Sequence, residues 1–179
     1  DDMPLLPDHL KITDIPKMEN AEVADLMARF EPLVKHFNRY LTIGGFPELA
    51  LSDDDLYAQR MLREDVVDKV IKRDVLTLFK VRSPLLMEKL FLYLCMNSTE
   101  IFSATTAAKE LDNISPNTIE SYVDAIVKSN LIYMAYPIAV GSKSVLKGRP
   151  KIYIADAAIR NAVLMVDDVL SDERELGLL

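Results

Sequence analysis

The chain has 179 residues, half of them hydrophobic, with a formal net charge of −7 and a single cysteine. That length holds one ordinary domain or two small ones around an ample core, one cysteine excludes an internal disulfide framework and fits a reducing cytoplasm, and no apolar run approaches the roughly 20 residues of a membrane helix. The acidic balance argues against a protein that coats nucleic acid over its whole surface, but the charge is uneven: residues 1–83, 84–154 and 155–179 carry −4, +1 and −4.

Residues 1–20 contain Pro4, Pro7 and Pro16 with scattered apolar side chains, and read as an irregular connection. The abrupt acidic start without an initiator Met is expected of a chain that begins inside a longer protein. From Ala21 the spacing turns helical, with Val23, Leu26, Met27 and Phe30 on one face. Pro32 is expected to open a second helix carrying Leu33, Val34, Phe37, Tyr40 and Leu41. His9 and His36 have no second histidine at ligand spacing and read as surface residues.

Residues 40–50 read YLTIGGFPELA. Two glycines before an aromatic residue, a proline and a glutamate make a sharp corner, with Pro47 opening a short helix and Glu48 in its first turn. Ser52 and the triplet Asp53, Asp54, Asp55 then cap a helical segment reaching about Phe79. Acids in a first turn complement the helix dipole, so capping is preferred to a metal site. Leu62, Val66, Val67, Val70, Ile71, Val75 and Leu78 form its expected core face. Arg60 falls near Glu64 and Asp65 near Lys69, a solvated face with weak ion pairs.

Ser83 and Pro84 start the next helix, whose core face is Leu86, Leu90, Phe91 and Leu94, and Cys95 in LFLYLCMN reads as a buried thiol. Ser103 and Ser115 occupy N-cap positions, the second followed by Pro116 at the first helical position. In the helix after Ser115, Ile119, Tyr122, Val123, Ile126 and Val127 form one stripe, while Asn117, Thr118, Ser121, Asp124 and Lys128 face away. Asn130 closes that helix in a left-handed conformation. Leu131 to Tyr136 and Lys151 to Ile154 read as two strands joined by a loop punctuated by Gly141, Gly148 and Pro150. Helix, turn, helix and ribbon in this order predict a winged helix-turn-helix. Lys143, Lys147, Arg149 and Lys151 fall within nine residues of its wing, with no acid among them. From Asp156, ADAAIRNAVLMV reads as a short helix, and 167–179 as a tail or an unfinished element.

The expected fold is therefore mainly α, a helical subdomain followed by a winged helix-turn-helix with a small two-stranded β-ribbon. Its parts are 1–20, the helical subdomain 21–82, the winged helix 83–155 and the terminal helix and tail 156–179. No catalytic constellation is present: there is no G-x-x-x-x-G-K-[ST] loop, no Cys/His metal spacing and no serine elbow.

Four blocks in order, IGGFPELA, REDVVDKVIKRDVLTLFKV, FSATTAAKELDNISPNTIESYVDAIVKSNLIY and KIYIAD, resemble the central part of a large family of prokaryotic AAA-type ATPases that join a P-loop module to a C-terminal domain of unknown function. The resemblance runs from about Phe37 to Ala158. It implies that 21–82 is a lid-like subdomain, that Gly44, Gly45, Phe46 and Pro47 lie near the adenine side of ATP in the intact protein, and that Arg63 or Arg73 is the lid arginine sensing the terminal phosphate. The phosphate loop and the acidic motif that positions magnesium are absent here. The resemblance thus implies a non-catalytic, cytoplasmic middle segment that binds no cofactor itself, with ATP and magnesium bound by the parent. Its partners would be the missing ATPase core and the C-terminal domain, which in many members is nuclease-like.

Two roles are expected for the winged helix. In one it binds duplex DNA, with Asn117, Thr118 and Ser121 near bases or phosphates and Lys143, Lys147, Arg149 and Lys151 on the backbone, opposed by Glu120 and Asp124 on the same helix. In the other it transmits the nucleotide state of the ATPase or docks a protein. A third class is a stand-alone winged-helix transcriptional regulator with a helical dimerisation region at 20–80.

Overall fold

The computed structural model describes residues 7, 10–79, 81–138, 148–166 and 170–178, which divide into two compact units, Asp1–Arg39 and Tyr40–Leu179. In the first unit a 3₁₀ helix, Ile12–Lys17, occupies part of the expected irregular connection. The Asp14 carboxylate accepts from the Lys11 N–H at 3.2 Å and closes its first turn, a local bond that scattered prolines concealed. Helix α1 then runs unbroken over Asn20–Ile43 with Pro32 inside it, so Pro32 does not open a second helix. A proline there removes one hydrogen bond to the Ala28 carbonyl, and Ala28 is exposed, so that carbonyl is not left buried without a donor.

In the second unit α2 (Pro47–Ala50) follows the glycine corner. Helix α3 (Asp55–Arg63) is capped by Asp54, whose carboxylate accepts from the Tyr57 N–H at 2.9 Å, the capping role expected of the acidic triplet. The chain then winds as a π-helix over Glu64–Val75 and returns to α geometry in α4 (Leu76–Leu78). This winding decides which side chains are buried. At 100° per residue the nine steps from Leu62 to Ile71 would put them on opposite faces, whereas a π turn of roughly 4.4 residues brings them back to one side. Leu62, Ile71 and Val75 are all buried, Val70 is half-buried, and Leu78 is 73% exposed rather than in the core.

Ser83 caps α5 (Pro84–Met96) through the Leu86 N–H, and Met87, Leu90, Phe91, Leu94 and Cys95 are buried along it. Ser103 likewise caps α6 (Ala104–Glu110) through Thr106. Helix α7 (Pro116–Lys128) starts at Ser115, whose side chain makes no capping bond, contrary to the expectation from its position. Ile119, Tyr122, Val123 and Ile126 of α7 are buried, each of these apolar groups stabilising by roughly 1.5–3 kcal/mol relative to exposure. The Tyr122 hydroxyl accepts from the Ser83 N–H at 3.0 Å and ties α7 to the start of α5. Asn130 ends the helix at φ 58°. One buried cluster takes Leu62 and Ile71 from before Ser83 together with Phe91, Ile126 and Ile152 from after it.

Strands β1 (Ile132–Ala135) and β2 (Lys151–Ile154) pair antiparallel, with Ile132 opposite Ile154 and Tyr133 opposite Tyr153. Alternation buries Ile132 and Ile152 and exposes the two tyrosines. The other edge of β2 is used too: Thr99 N–H donates to the Ile152 carbonyl at 2.6 Å, Ile152 N–H to Glu100 at 3.1 Å, and Phe102 N–H to Pro150 at 2.8 Å. Asp156 caps α8 (Ala157–Leu164), and α9 (Glu173–Leu176) lies within the expected tail. Arg160 on α8 is buried; its Nε–H donates to the Cys95 carbonyl at 3.1 Å and its guanidinium pairs with Glu175 of α9. No helix among the described residues is long and apolar enough to cross a membrane.

Candidate functional site

The Gly44–Gly45 corner is built around a residue 111 positions further on. Gly44 has φ +78°, a backbone conformation costly for any residue with a Cβ, and its N–H donates to the Tyr40 carbonyl at 2.8 Å. A Cβ on Gly44 would lie 2.4 Å from Asp156 Oδ1 and 2.9 Å from the Ala158 Cβ. The absent side chain lets the corner sit directly on the start of α8. Asp156 uses both carboxylate oxygens there: Oδ2 accepts from the Gly45 N–H at 3.1 Å and Oδ1 from the Ala158 N–H at 2.9 Å. One turn along, Asn161 Nδ2 donates to the Leu41 carbonyl at 2.8 Å. The corner is therefore held by side chains of α8, and Asp156 stands two residues after the end of β2.

Beside this corner lies an open cavity of about 480 Å³ bordered by Tyr40, Phe46, Pro47, Val70, Ile159 and the Ser129–Asn130 turn. Gly45 and Asp156 form part of its wall, and among the described residues no lysine or arginine borders it. Such walls suit a planar apolar ring and offer nothing to a phosphate.

A second concavity, about 730 Å³, separates the outer side of α7 from β1 and the approach to β2. Phe102, Val123, Val127, Met134 and Tyr136 form its apolar surface, with Glu120 and Asp124 on one wall and Arg149 on the other. Of the expected DNA contacts, Asn117 and Ser121 are exposed on α7, Thr118 is half-buried, and Arg149 and Lys151 are exposed beside the ribbon. Lys143 and Lys147 lie outside the described residues, as does His9. The α7 cation, Lys128, donates to Asp124 at 2.6 Å, which leaves Glu120 to set the sign of that face.

The two candidate lid arginines part company. Arg73 is exposed and its Nε–H donates to its neighbour Asp74 at 2.9 Å, which raises the Arg73 pKa further. Arg63 instead faces a small cavity with Arg60 and Asn161, and among the described residues neither Arg60 nor Arg63 makes an ion pair, so the expected Arg60–Glu64 contact is not formed. The Asp65–Lys69 pair is formed. Cys95 is fully buried, and burial pushes its thiol up to about 12, as an inert core thiol requires. Among the described residues no group of three His, Cys, Asp or Glu could hold a metal ion.

Asp156, Arg160 and Asn161 escaped the sequence reading. An aspartate immediately before a helical run signals an N-cap, but no local pattern marks a carboxylate that also binds a glycine amide in a distant corner.

Residues 34–170 match the family described as a domain of unknown function (DUF8612), and the chain belongs to that family. An uncharacterized protein of Methanocaldococcus jannaschii, MJ1544, is 25% identical over 153 residues, covering 82% of this chain and 34% of the relative. The chain thus spans about a third of the length of that curated relative. No solved structure matches it.

Proposed function

We propose that the chain is the non-catalytic middle of a AAA-type ATPase, and that its residues 83–155 are a winged helix-turn-helix coupled mechanically to the glycine corner. The observation that carries the reading is the Asp156 carboxylate, which bonds the Gly45 amide on one side and starts α8 directly after β2 on the other. A displacement of the corner is then passed to the ribbon through a hydrogen bond rather than a flexible linker. The winged-helix assignment is supported by the order α5, segment 99–102, α6, α7, β1, β2, with segment 99–102 hydrogen-bonded along the edge of β2 that β1 leaves open. In the parent, the apolar cavity beside Phe46 suits the base of ATP, while the phosphates and magnesium belong to the absent core.

Hydrogen exchange tests the coupling. In Gly44→Ala, amide protection is expected to fall in β1 and β2 together with residues 43–50. Loss confined to the corner, with the ribbon as protected as in the unaltered chain, sinks the reading.

DNA binding is the second reading, favoured by the exposure of Asn117 and Ser121 on α7 and of Arg149 and Lys151 beside the ribbon, with Arg149 on the groove that α7 borders. Fluorescence anisotropy with a mixed-sequence duplex across a salt series tests it: binding that steepens at low salt and collapses in Arg149→Ala/Lys151→Ala supports a phosphate clamp. Glu120 and the paired Lys128 weigh against it.

A further inference from the structure

Helix α1 runs for 24 residues, about 36 Å, and none of its side chains before Ile43 is buried. Met27 is 69% and Phe37 57% exposed, Val34 and Tyr40 are exposed as well, and Val23, Leu26, Phe30 and Leu33 are half-buried. An apolar stripe of that length facing solvent marks an interaction surface. Its spacing says what kind of partner fits. Val23, Phe30 and Phe37 stand seven residues apart, as do Leu26, Leu33 and Tyr40, and Met27, Val34 and Leu41. The first two rows are the a and d positions of a heptad and the third is the e position. A stripe kept in step at 3.5 residues per turn stays against a second helix that winds with it. Pro32 and Ala28 fall at c and f, on the outer side, so the hydrogen bond lost at the proline does not disturb the seam. Leu10 and Met18 of the preceding segment border a cavity with Glu22, Asp25, Leu26 and Arg29, which puts that segment on the polar g flank and leaves the e row uncovered.

We propose that α1 pairs with α1 of a second copy of this chain as a short antiparallel coiled coil. The stripe is complementary to itself in that direction. With the twofold axis between Glu31 and Pro32, every a position meets a d position: Val23 lies opposite Tyr40, Leu26 opposite Phe37 and Phe30 opposite Leu33 of the second copy. The e row then meets the e row, with Met27 beside Val34. A parallel pair would set e against g instead, bringing Met27 to Glu22 and Val34 to Arg29, apolar against charged. Charge selects the same direction. Residues 20–31 carry Glu22, Asp25 and Glu31 against Arg29, a net −2, and residues 32–43 carry Lys35 and Arg39 with no acid, a net +2. The antiparallel pair lays each acidic half along a basic half, whereas the parallel pair lays like along like. The inference goes beyond the ATPase reading and does not depend on it, because it uses α1 alone.

The test is sedimentation equilibrium of the chain from about 1 to about 300 µM, where a monomer–dimer equilibrium with a Kd at or below about 100 µM is expected. Phe30→Lys/Leu33→Lys places like charges in both layers beside the axis and is expected to weaken the dimer about tenfold or more. Both side chains lie outside the buried core, and circular dichroism confirms that the variant stays folded. Direction is read by disulfide formation between added cysteines, with which the fully buried Cys95 does not compete. An equimolar mixture of Met27→Cys and Val34→Cys chains is expected to cross-link chiefly as the mixed dimer, and each variant alone much less. A chain that stays monomeric at about 300 µM, a dimer indifferent to Phe30→Lys/Leu33→Lys, or cross-links chiefly between identical positions would each overturn the proposal, the first by leaving the stripe to a different protein or to another part of a longer one.

Discussion

Gly44→Ala is the substitution for which the geometry gives the firmest expectation. The left-handed backbone at φ +78° costs a residue with a Cβ about 1–2 kcal/mol. The new methyl would also stand 2.4 Å from Asp156 Oδ1, so the carboxylate must turn away and forfeit its bond to the Ala158 N–H, a capping bond worth about 1 kcal/mol, and weaken the one to Gly45, worth about as much. The sum is roughly 2–4 kcal/mol, a large share of the stability of a domain of this size. Urea unfolding followed by circular dichroism reads it as a fall in midpoint at constant slope. The same substitution in an Asp156→Ala background is expected to cost at least 1 kcal/mol less, since the shortest clash is gone. A loss below about 1 kcal/mol, or the same loss in both backgrounds, would refute the view that Asp156 holds the corner.

The π winding makes a paired prediction: Ile71→Ala should cost about 2–5 kcal/mol and Leu78→Ala less than about 0.5 kcal/mol in the same unfolding assay, although an α-helical reading puts both on the core face. Because burial keeps the Cys95 thiol protonated to about pH 12, the unfolded chain sheds its thiol proton first as pH rises above about 9. Stability should therefore decline with pH above that point more in the unaltered chain than in Cys95→Ala, and a thiol reagent at pH 8 should label the native chain only through unfolding. Glu175→Gln leaves the buried Arg160 cation without its carboxylate and is expected to cost roughly 1–3 kcal/mol, discounted for the partial exposure of Glu175. A thermal melt indistinguishable from that of the unaltered chain would show α9 to be an ornament on the fold.

What could be read from sequence was whatever the chain decides locally. Ser83 with Pro84, Ser103, Asp54 and Asn130 announce helix ends through bonds spanning a few residues, and the limits of β2 follow from Pro150 and the alternation of Ile152 and Ile154. The corner at Gly44 was visible as a corner; its partner was not, because Asp156 is brought there by the fold. Pro32 misled for the opposite reason: a local rule gave way where an exposed carbonyl could turn to water. The π turns were hidden because periodicity is read at an assumed 100° per residue, so Leu78 was assigned to a face that the widened helix rotates into solvent. Segment 99–102 lacked the length and alternation of a strand, and only β2 gives it that role.

The use of both edges of β2 bears on the order in which this molecule assembles. Thr99 and Ile152 are about 50 residues apart in the chain, and closing a flexible loop of that size costs on the order of 3–4 kcal/mol of entropy. Helices α6 and α7 lie inside the loop and take up much of its slack once they have packed on α5. The sheet is then a latch, shut by a chain already shortened by its helices, and β2 is the clasp that keeps the helical turn and the ribbon in one piece.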